Sequence, residues 1–294
     1  MYGGYVIDRA AGITLASRLL GHANEQITRN SYLVTADAVE VQTIGTGDVQ
    51  TIRLNRPEEG NSLDLEMAMQ LRAAVTQMCA DAACRVVIID SVGDLFCGGG
   101  DVRAMSDAAD PGRYSRELAD TVHAAFLELA HSPIVVVCAV QGAAAGIGLA
   151  VVLNADYVLA SERSVFLAAY GALGVSPDGG TTYLLPRVVG LRRASELCLT
   201  SRRLDAQTAE EWGIVNRVVP HDQLESAASK IARDIARTPK SALSATKHLL
   251  SKHWLHDYAA QLDAEAASIS ALIISPDSRD LQRAFLDRAP RSKA

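Results

Sequence analysis

Three glycines, Gly98, Gly99 and Gly100, stand between an apolar run and Asp101, and a second glycine-bearing stretch, GAAAGIG, occupies 142–148. A glycine costs about 0.5–1 kcal/mol of backbone entropy relative to alanine, so three in a row imply a turn or a close approach of ligand to bare backbone. Each stretch follows a short β-branched run (VVIID, 86–90; IVVVCAV, 134–140) and precedes a helical pattern. That order presents backbone N–H groups at a helix start, where partial positive charge favours an anion. Two such turns brought together can hold a carbonyl oxygen that becomes an oxyanion. One well-placed donor there lowers a barrier by about 3–4 kcal/mol.

Other side chains could add proton chemistry. Asp178 lies in SPDGG (176–180); Pro-Asp-Gly favours a turn, and a buried carboxyl with a raised pKa would suit proton transfer. Cys97 adjoins the glycines, but nothing near it in sequence would lower its thiol pKa, so it reads as a core thiol. His123 and His131 fall on a helix expected near 114–131 and could reach the mouth of a pocket, but a lone helical histidine reads first as a packing or surface residue. Arg56, Arg103, Lys247 and Arg288 are candidate phosphate contacts, and each also reads as a solvated charge.

The chain that positions these residues has 294 residues, 49% hydrophobic and 21% charged, enough for one large domain or two small ones of ordinary α/β composition. A net charge of −6 leaves no basic block for nucleic acid. Five scattered cysteines without CxxC spacing imply reduced thiols in a cytoplasmic protein, with no disulfide framework and no metal site. The uncharged run 134–153 has the length of a membrane span and contains Gly142-xxx-Gly146. Its β-branched opening, the break at Gln141-Gly142 and the lack of a basic flank favour a buried strand, a turn and a buried helix instead.

VEVQTI (39–44) and VQTIRLN (49–55) predict a hairpin around GTGD. Leu63, Met67, Leu71, Val75 and Met78 predict a helix over 63–80, begun by Ser62 or Asp64. Strands follow at 86–90 and 134–140, then at YVLAS and SVFLA. A helix capped by Asp205 and stopped by Gly213 precedes the strand IVNRVV. From about 222 the pattern is helical, broken at Pro239 and Pro276, and this tail could pack on its own domain or on a neighbouring subunit. The alternation is that of an α/β fold. The first 36 residues stand apart: ITLASRLLGHANEQITRNSYLV resembles the tail of tyrosine recombinases, with His22, Thr28 and Tyr32 at the matching places. The arginine-bearing body of a recombinase is absent, so this extension is expected to be inert.

Five stretches, IRLNRPEEGNSL (52–63), FCGGGDV (96–102), VQGAAAGIGLA (140–150), SVFLAAYGALGVSPDGGTTYLLPRVVG (164–190) and AEEWGIVNRVVP (209–220), resemble in order and spacing the enoyl-CoA hydratase/isomerase, or crotonase, superfamily. The resemblance covers roughly 37–290. It implies a crotonase-type ββα spiral core over 37–221 and a C-terminal helical oligomerisation region over 222–294, building homotrimers often paired into hexamers. It also implies an acyl-CoA thioester substrate, no cofactor beyond the CoA that the substrate carries, and no nucleic-acid or membrane partner. Two backbone N–H groups would hold the enolate. Carried over by motif they are Gly100 and Ile147, the latter where the family commonly has glycine. Gly98, Gly99, Asp101, Val102, Arg56 and Tyr170 fall at substrate and CoA contacts.

The two glutamates of a hydratase would fall at Ala150 and near Tyr170, where this chain has no carboxylate. The resemblance therefore leaves Asp178 as a single acid/base, the pattern of an enoyl-CoA isomerase shifting a 3-enoyl to a 2-enoyl ester. The alternatives are acyl-CoA hydrolysis or other enolate chemistry on the same scaffold, or a catalytically silent acyl-CoA-binding subunit. Dehalogenases of the family pair an aspartate at the place of Asp178 with a histidine and a tryptophan; the matching places here are Thr121 and Tyr170.

Overall fold

The computed structural model describes residues 37–44, 47–253 and 255–288. The recombinase-like stretch with His22, Thr28 and Tyr32 lies outside them.

The expected hairpin forms from β1 (Val39–Ile44) and β2 (Val49–Leu54), with Val39 opposite Leu54. Strands β3 (Val86–Ser91), β4 (Val135–Val140), β6 (Tyr157–Ser161) and β9 (Arg217–Val219) then add in parallel, giving the order β1-β2-β3-β4-β6-β9. The middle strands are β-branched on both faces because both faces are covered. Val87, Ile89, Val136 and Cys138 point into one hydrophobic cluster, while Val86, Ile88, Val137 and Ala139 point into the other. Each such buried valine or isoleucine contributes about 1.5–3 kcal/mol.

Helices α1 (Leu65–Ala80), α2 (Val102–Asp107), α3 (Pro111–His131) and α4 (Ile147–Leu153) follow in chain order. Asp64, not Ser62, caps α1 by accepting from the Met67 N–H at 2.8 Å. Leu63 is therefore outside the helix and pairs instead with Gly100 in an isolated parallel bridge. Beyond them come α5 (Thr181–Val189), α6 (Leu191–Thr200) and α7 (Ala206–Glu211), the last capped by Asp205 as expected. The tail forms α8 (Leu224–Ala236), α9 (Lys240–Ser251), α10 (Tyr258–Leu272) and α11 (Pro276–Arg288). It packs on its own chain: α8 covers the second sheet face through Leu224, Ala228, Ala232 and Ala236, and α10 lies along α3.

One expected turn is a strand. Within 142–148, β5 (Ala143–Ala145) pairs with β7 (Val165–Leu167), which pairs with β8 (Leu204–Asp205), making a small second sheet. Three alanines carry no strand signature, but small residues let this segment lie against 94–97. A methyl group on Gly142 would stand 1.9 Å from the Asp94 carbonyl oxygen. The twenty-residue run 134–153 thus resolves into β4, β5 and α4, and among the described residues no helix is long and apolar enough to cross a membrane.

Candidate active site

The two glycine stretches run side by side. The Cys97 N–H donates to the Ala143 carbonyl at 3.0 Å and the Ala145 N–H to the Cys97 carbonyl at 2.9 Å, around a parallel bridge between Cys97 and Ala144. Two residues further on the stretches still meet at Gly99 and Gly146, which immediately precede Gly100 and Ile147. Gly146 adopts φ 53°, ψ −120°, and Gly99 φ 120°, both hostile to side chains. A methyl on Gly146 would lie 3.7 Å from Gly99 Cα and 3.8 Å from Tyr170 Cζ. Leu63 locks the outer edge, donating to the Gly99 carbonyl and accepting from the Asp101 N–H, each at 2.8 Å. The N–H groups of Gly100 and Ile147 donate to nothing among the described residues. Each of these two unpartnered donors follows one glycine of the touching pair, and Ile147 stands at the first position of α4, where helix N–H groups have no partner of their own.

Asp178 is buried beside them, 7% exposed, between a 3-10 turn at Ala169–Leu173 and the start of α5. The Tyr170 hydroxyl donates to its Oδ1 at 2.8 Å. Burial pushes the Asp178 carboxyl up to about 6, with the Tyr170 hydrogen bond pulling the other way. The turn that carries it is held on every side. Gly179 and Gly180 have φ of 67° and 82°. The Gly179 N–H donates to His123 Nε2 at 3.0 Å, and its carbonyl accepts from Asn154 Nδ2 at 3.1 Å. Glu265 on α10 accepts from the Gly180 N–H at 2.6 Å and from the Thr182 N–H at 2.9 Å, and also from the Thr182 hydroxyl. A methyl on Gly179 would stand 2.5 Å from Ile147 Cδ1 and 2.6 Å from Ala150 Cβ, so the Asp178 turn leans directly on the start of α4.

Asp178, Tyr170, Ile147, Gly99 and Gly100 are therefore brought together. Arg56 is committed to the scaffold: Nη1 donates to the Ser62 carbonyl at 2.8 Å and pairs with Asp64 at 3.1 Å, while Nη2 pairs with Asp101 at 3.2 Å. Asp101 also caps α2, accepting from the Ala104 N–H at 3.0 Å, and Val102 is buried in its first turn. Gly98 is pinned through its N–H to the Gly60 carbonyl at 2.9 Å. These residues fix the glycine turn from behind. Lys247 is not free for a phosphate: it is buried, donating to the carbonyls of Leu129 and Ile134 and pairing with Asp156 at 2.8 Å. Arg103 and Arg288 are exposed, as is His131. Thr121 turns its hydroxyl back to the Glu117 carbonyl at 2.7 Å. Cys97 is sealed in the core with its thiol pushed up to about 12 by burial. Among the described residues no group of three His, Cys, Asp or Glu is placed to hold a metal ion.

Three contributors were not identified from the sequence. His123, taken as packing or surface, is a buried acceptor; Asn154 and Glu265 carried no motif. One signal was available for the last. A helix starting after Gly179-Gly180 has no side-chain cap of its own, so an acceptor has to come from elsewhere.

The enoyl-CoA hydratase/isomerase family model matches residues 45–292, and the chain belongs to that family. It is 35% identical over 248 residues, 83% of this chain and 94% of the relative, to the 1,2-epoxyphenylacetyl-CoA isomerase of Escherichia coli K12. It is 29% identical to 4-chlorobenzoyl coenzyme A dehalogenase-2 of an Arthrobacter species, over 85% of this chain and 91% of that one. An enoyl-CoA hydratase structure from Mycobacterium avium subsp. paratuberculosis superposes with a TM-score of 0.77 at 29% identity, covering 85% of this chain and all of that one. The fold is thus the crotonase fold. An isomerase, a dehalogenase and a hydratase share it, so the reaction has to be argued from the residues of the site.

Proposed function

We propose that this enzyme is an acyl-CoA isomerase in which Asp178 is the only acid/base and the N–H groups of Gly100 and Ile147 hold the thioester oxygen. The observation that carries this reading is the position of Asp178: a buried carboxyl, hydrogen-bonded by Tyr170, whose ring a methyl on Gly146 would meet at 3.8 Å. In a 3-enoyl ester, ionised Asp178 takes a proton from C2 and negative charge moves to the thioester oxygen, between the two donors. The double bond shifts to C2–C3 as protonated Asp178 returns the proton at C4. A carboxyl near 6 is ionised at neutral pH yet remains a competent acid once protonated. Ala150 and Tyr170 supply no carboxylate for activating water, and the oxygens of Glu265 are occupied by backbone donors. The isomerase name of the Escherichia coli relative supports the same class. From the family resemblance we also propose that residues 222–294 build a homotrimer or hexamer, which light scattering reads directly against the 31.3 kDa chain.

The test is deuterium exchange in heavy water with a panel of 3-enoyl-CoA and saturated acyl-CoA esters, comparing wild type with Asp178→Asn. Label entering C2 or C4 with wild type and not with the variant is the expected result. Release of free CoA would instead identify a hydrolase, and binding without exchange by any ester a silent subunit; either overturns the isomerase reading.

A further inference from the structure

Helix α5 begins without a cap of its own. Its N-cap is Gly180, which has no side chain to offer, yet its first N–H groups are buried and need acceptors. The acceptor comes from α10, where Glu265 takes the Gly180 and Thr182 N–H groups and the Thr182 hydroxyl. The same face of α10 adds two more holds. Gln261 Nε2 donates to Thr182 Oγ1 at 2.8 Å. Tyr258 packs its ring where a side chain on Gly180 would be, and donates to Asn154 Oδ1 at 2.5 Å. Asn154 in turn holds the Gly179 carbonyl. A closed ring of contacts thus runs from α10 around the Asp178 turn and back.

We propose that Glu265 is a positioning residue of this enzyme, holding the Asp178 turn, through Gly180 and Thr182, at the place where Asp178 meets the substrate. The inference rests on the acid/base reading of Asp178. Both oxygens of Glu265 face only donors, so the arrangement demands the carboxylate; protonation, or an amide, sets a hydrogen against an N–H or O–H. The carboxylate is also a buried negative charge close to Asp178, and like charges disfavour ionisation of one another. Burial pushes Glu265 up to about 7, and Asp178 adds in the same direction. The other titratable groups facing the pair are Tyr170 from the 3-10 turn, Tyr258 on α10, Cys198 on α6 and His123 on α3. Burial holds the phenols and the thiol neutral from above and the imidazole neutral, near 4, from below. Between pH 5 and 9 the two carboxyls are the groups that change charge there.

The experiment is the pH dependence of kcat and KM in the exchange assay for wild type, Glu265→Gln, Thr182→Val and Asp178→Asn. Glu265→Gln is expected to lower kcat about 10–100-fold, the scale of a small misplacement, with KM within about twofold. Its acid limb in kcat/KM moves to lower pH, because the limb then reports Asp178 alone and no longer the protonation of Glu265, the higher of the two. Thr182→Val strips one donor from Glu265 while keeping the charge, so Glu265 protonates more readily and the acid limb moves to higher pH. It keeps the inference testable if Glu265→Gln fails to fold. A merely structural glutamate would move neither limb, and unchanged limbs overturn the inference. Asp178→Asn separates the two readings: exchange that survives it overturns the acid/base role, whereas its loss alongside unchanged limbs in the other variants overturns Glu265 alone.

Discussion

Gly179 and Ala150 touch so closely that a methyl on the first would lie 2.6 Å from the Cβ of the second. Ala150 is fully buried in α4, so the place where a hydratase would carry a glutamate is filled here by the Asp178 turn itself. Ala150→Glu is therefore expected to cost at least about 3 kcal/mol through overpacking and an unpaired buried charge, without gaining water addition to a 2-enoyl ester. A melting curve and a hydration assay on the variant check both halves. A stable, hydrating variant would show that the turn yields.

Asp178→Asn should stabilise the protein while ending its chemistry. The folded state raises this carboxyl from 3.8 to about 6, so the folded chain binds its proton more tightly than the unfolded chain. Ionisation then works against folding: the penalty is absent below pH 4, grows between 4 and 6, and is full above 6. The difference corresponds to up to about 3 kcal/mol at neutral pH. Denaturant melts of both proteins at pH 4 and pH 7.5 should show curves that nearly coincide at the first and separate at the second.

His123 works in the opposite sense. Its Nε2 accepts the Gly179 N–H, so the proton of the neutral ring sits on Nδ1 and a charged ring cannot keep the bond. Burial lowers its pKa from 6.5 to about 4. Its contribution is complete above pH 6.5 and is lost as pH falls through the window to 4. His123→Gln, which can still offer an oxygen to Gly179, should flatten the fall of the melting temperature across that window. An unchanged acid slope in the variant would remove His123 from this account.

The strand–helix order, the doubly covered sheet and the turn at 177–180 were legible in the sequence, because each is written in local residue types; the part proposed for Asp178 came from the family resemblance. Glycine runs, Pro-Asp-Gly and β-branched runs state their geometry over a few neighbouring positions. What holds Asp178 was not legible. Glu265 meets Gly180 across 85 positions and His123 meets Gly179 across 56, and on their helices both have ordinary neighbours. Lys247 shows the same limit from the other side: a lysine that reads as a solvated charge is buried among carbonyls 113 and 118 positions away. Strand β5 escaped because alanine carries little preference of its own.

The glycines of the second stretch should fail for different reasons. Gly146→Ala meets open contacts of 3.7–3.9 Å, and its cost, about 1–3 kcal/mol, comes from backbone conformation. Gly148→Ala would drive a methyl to 2.4 Å from the Cys97 carbonyl oxygen and is expected not to fold. Soluble yield and melting temperature separate the two; equal effects would mean that the strands part easily.

Cys97 sits at the seam of those strands with its thiol enclosed and held protonated. A reagent that attacks only thiolates cannot reach it until the seam opens, and once open its carbonyl has released the Ala145 N–H. The rate at which Cys97 is alkylated under native conditions, followed by mass spectrometry of its peptide, is therefore a clock for that opening. On the proposed reading, an ester seated across the two glycine stretches slows it, and Cys97 then serves as an internal gauge of occupancy that needs no turnover to be read.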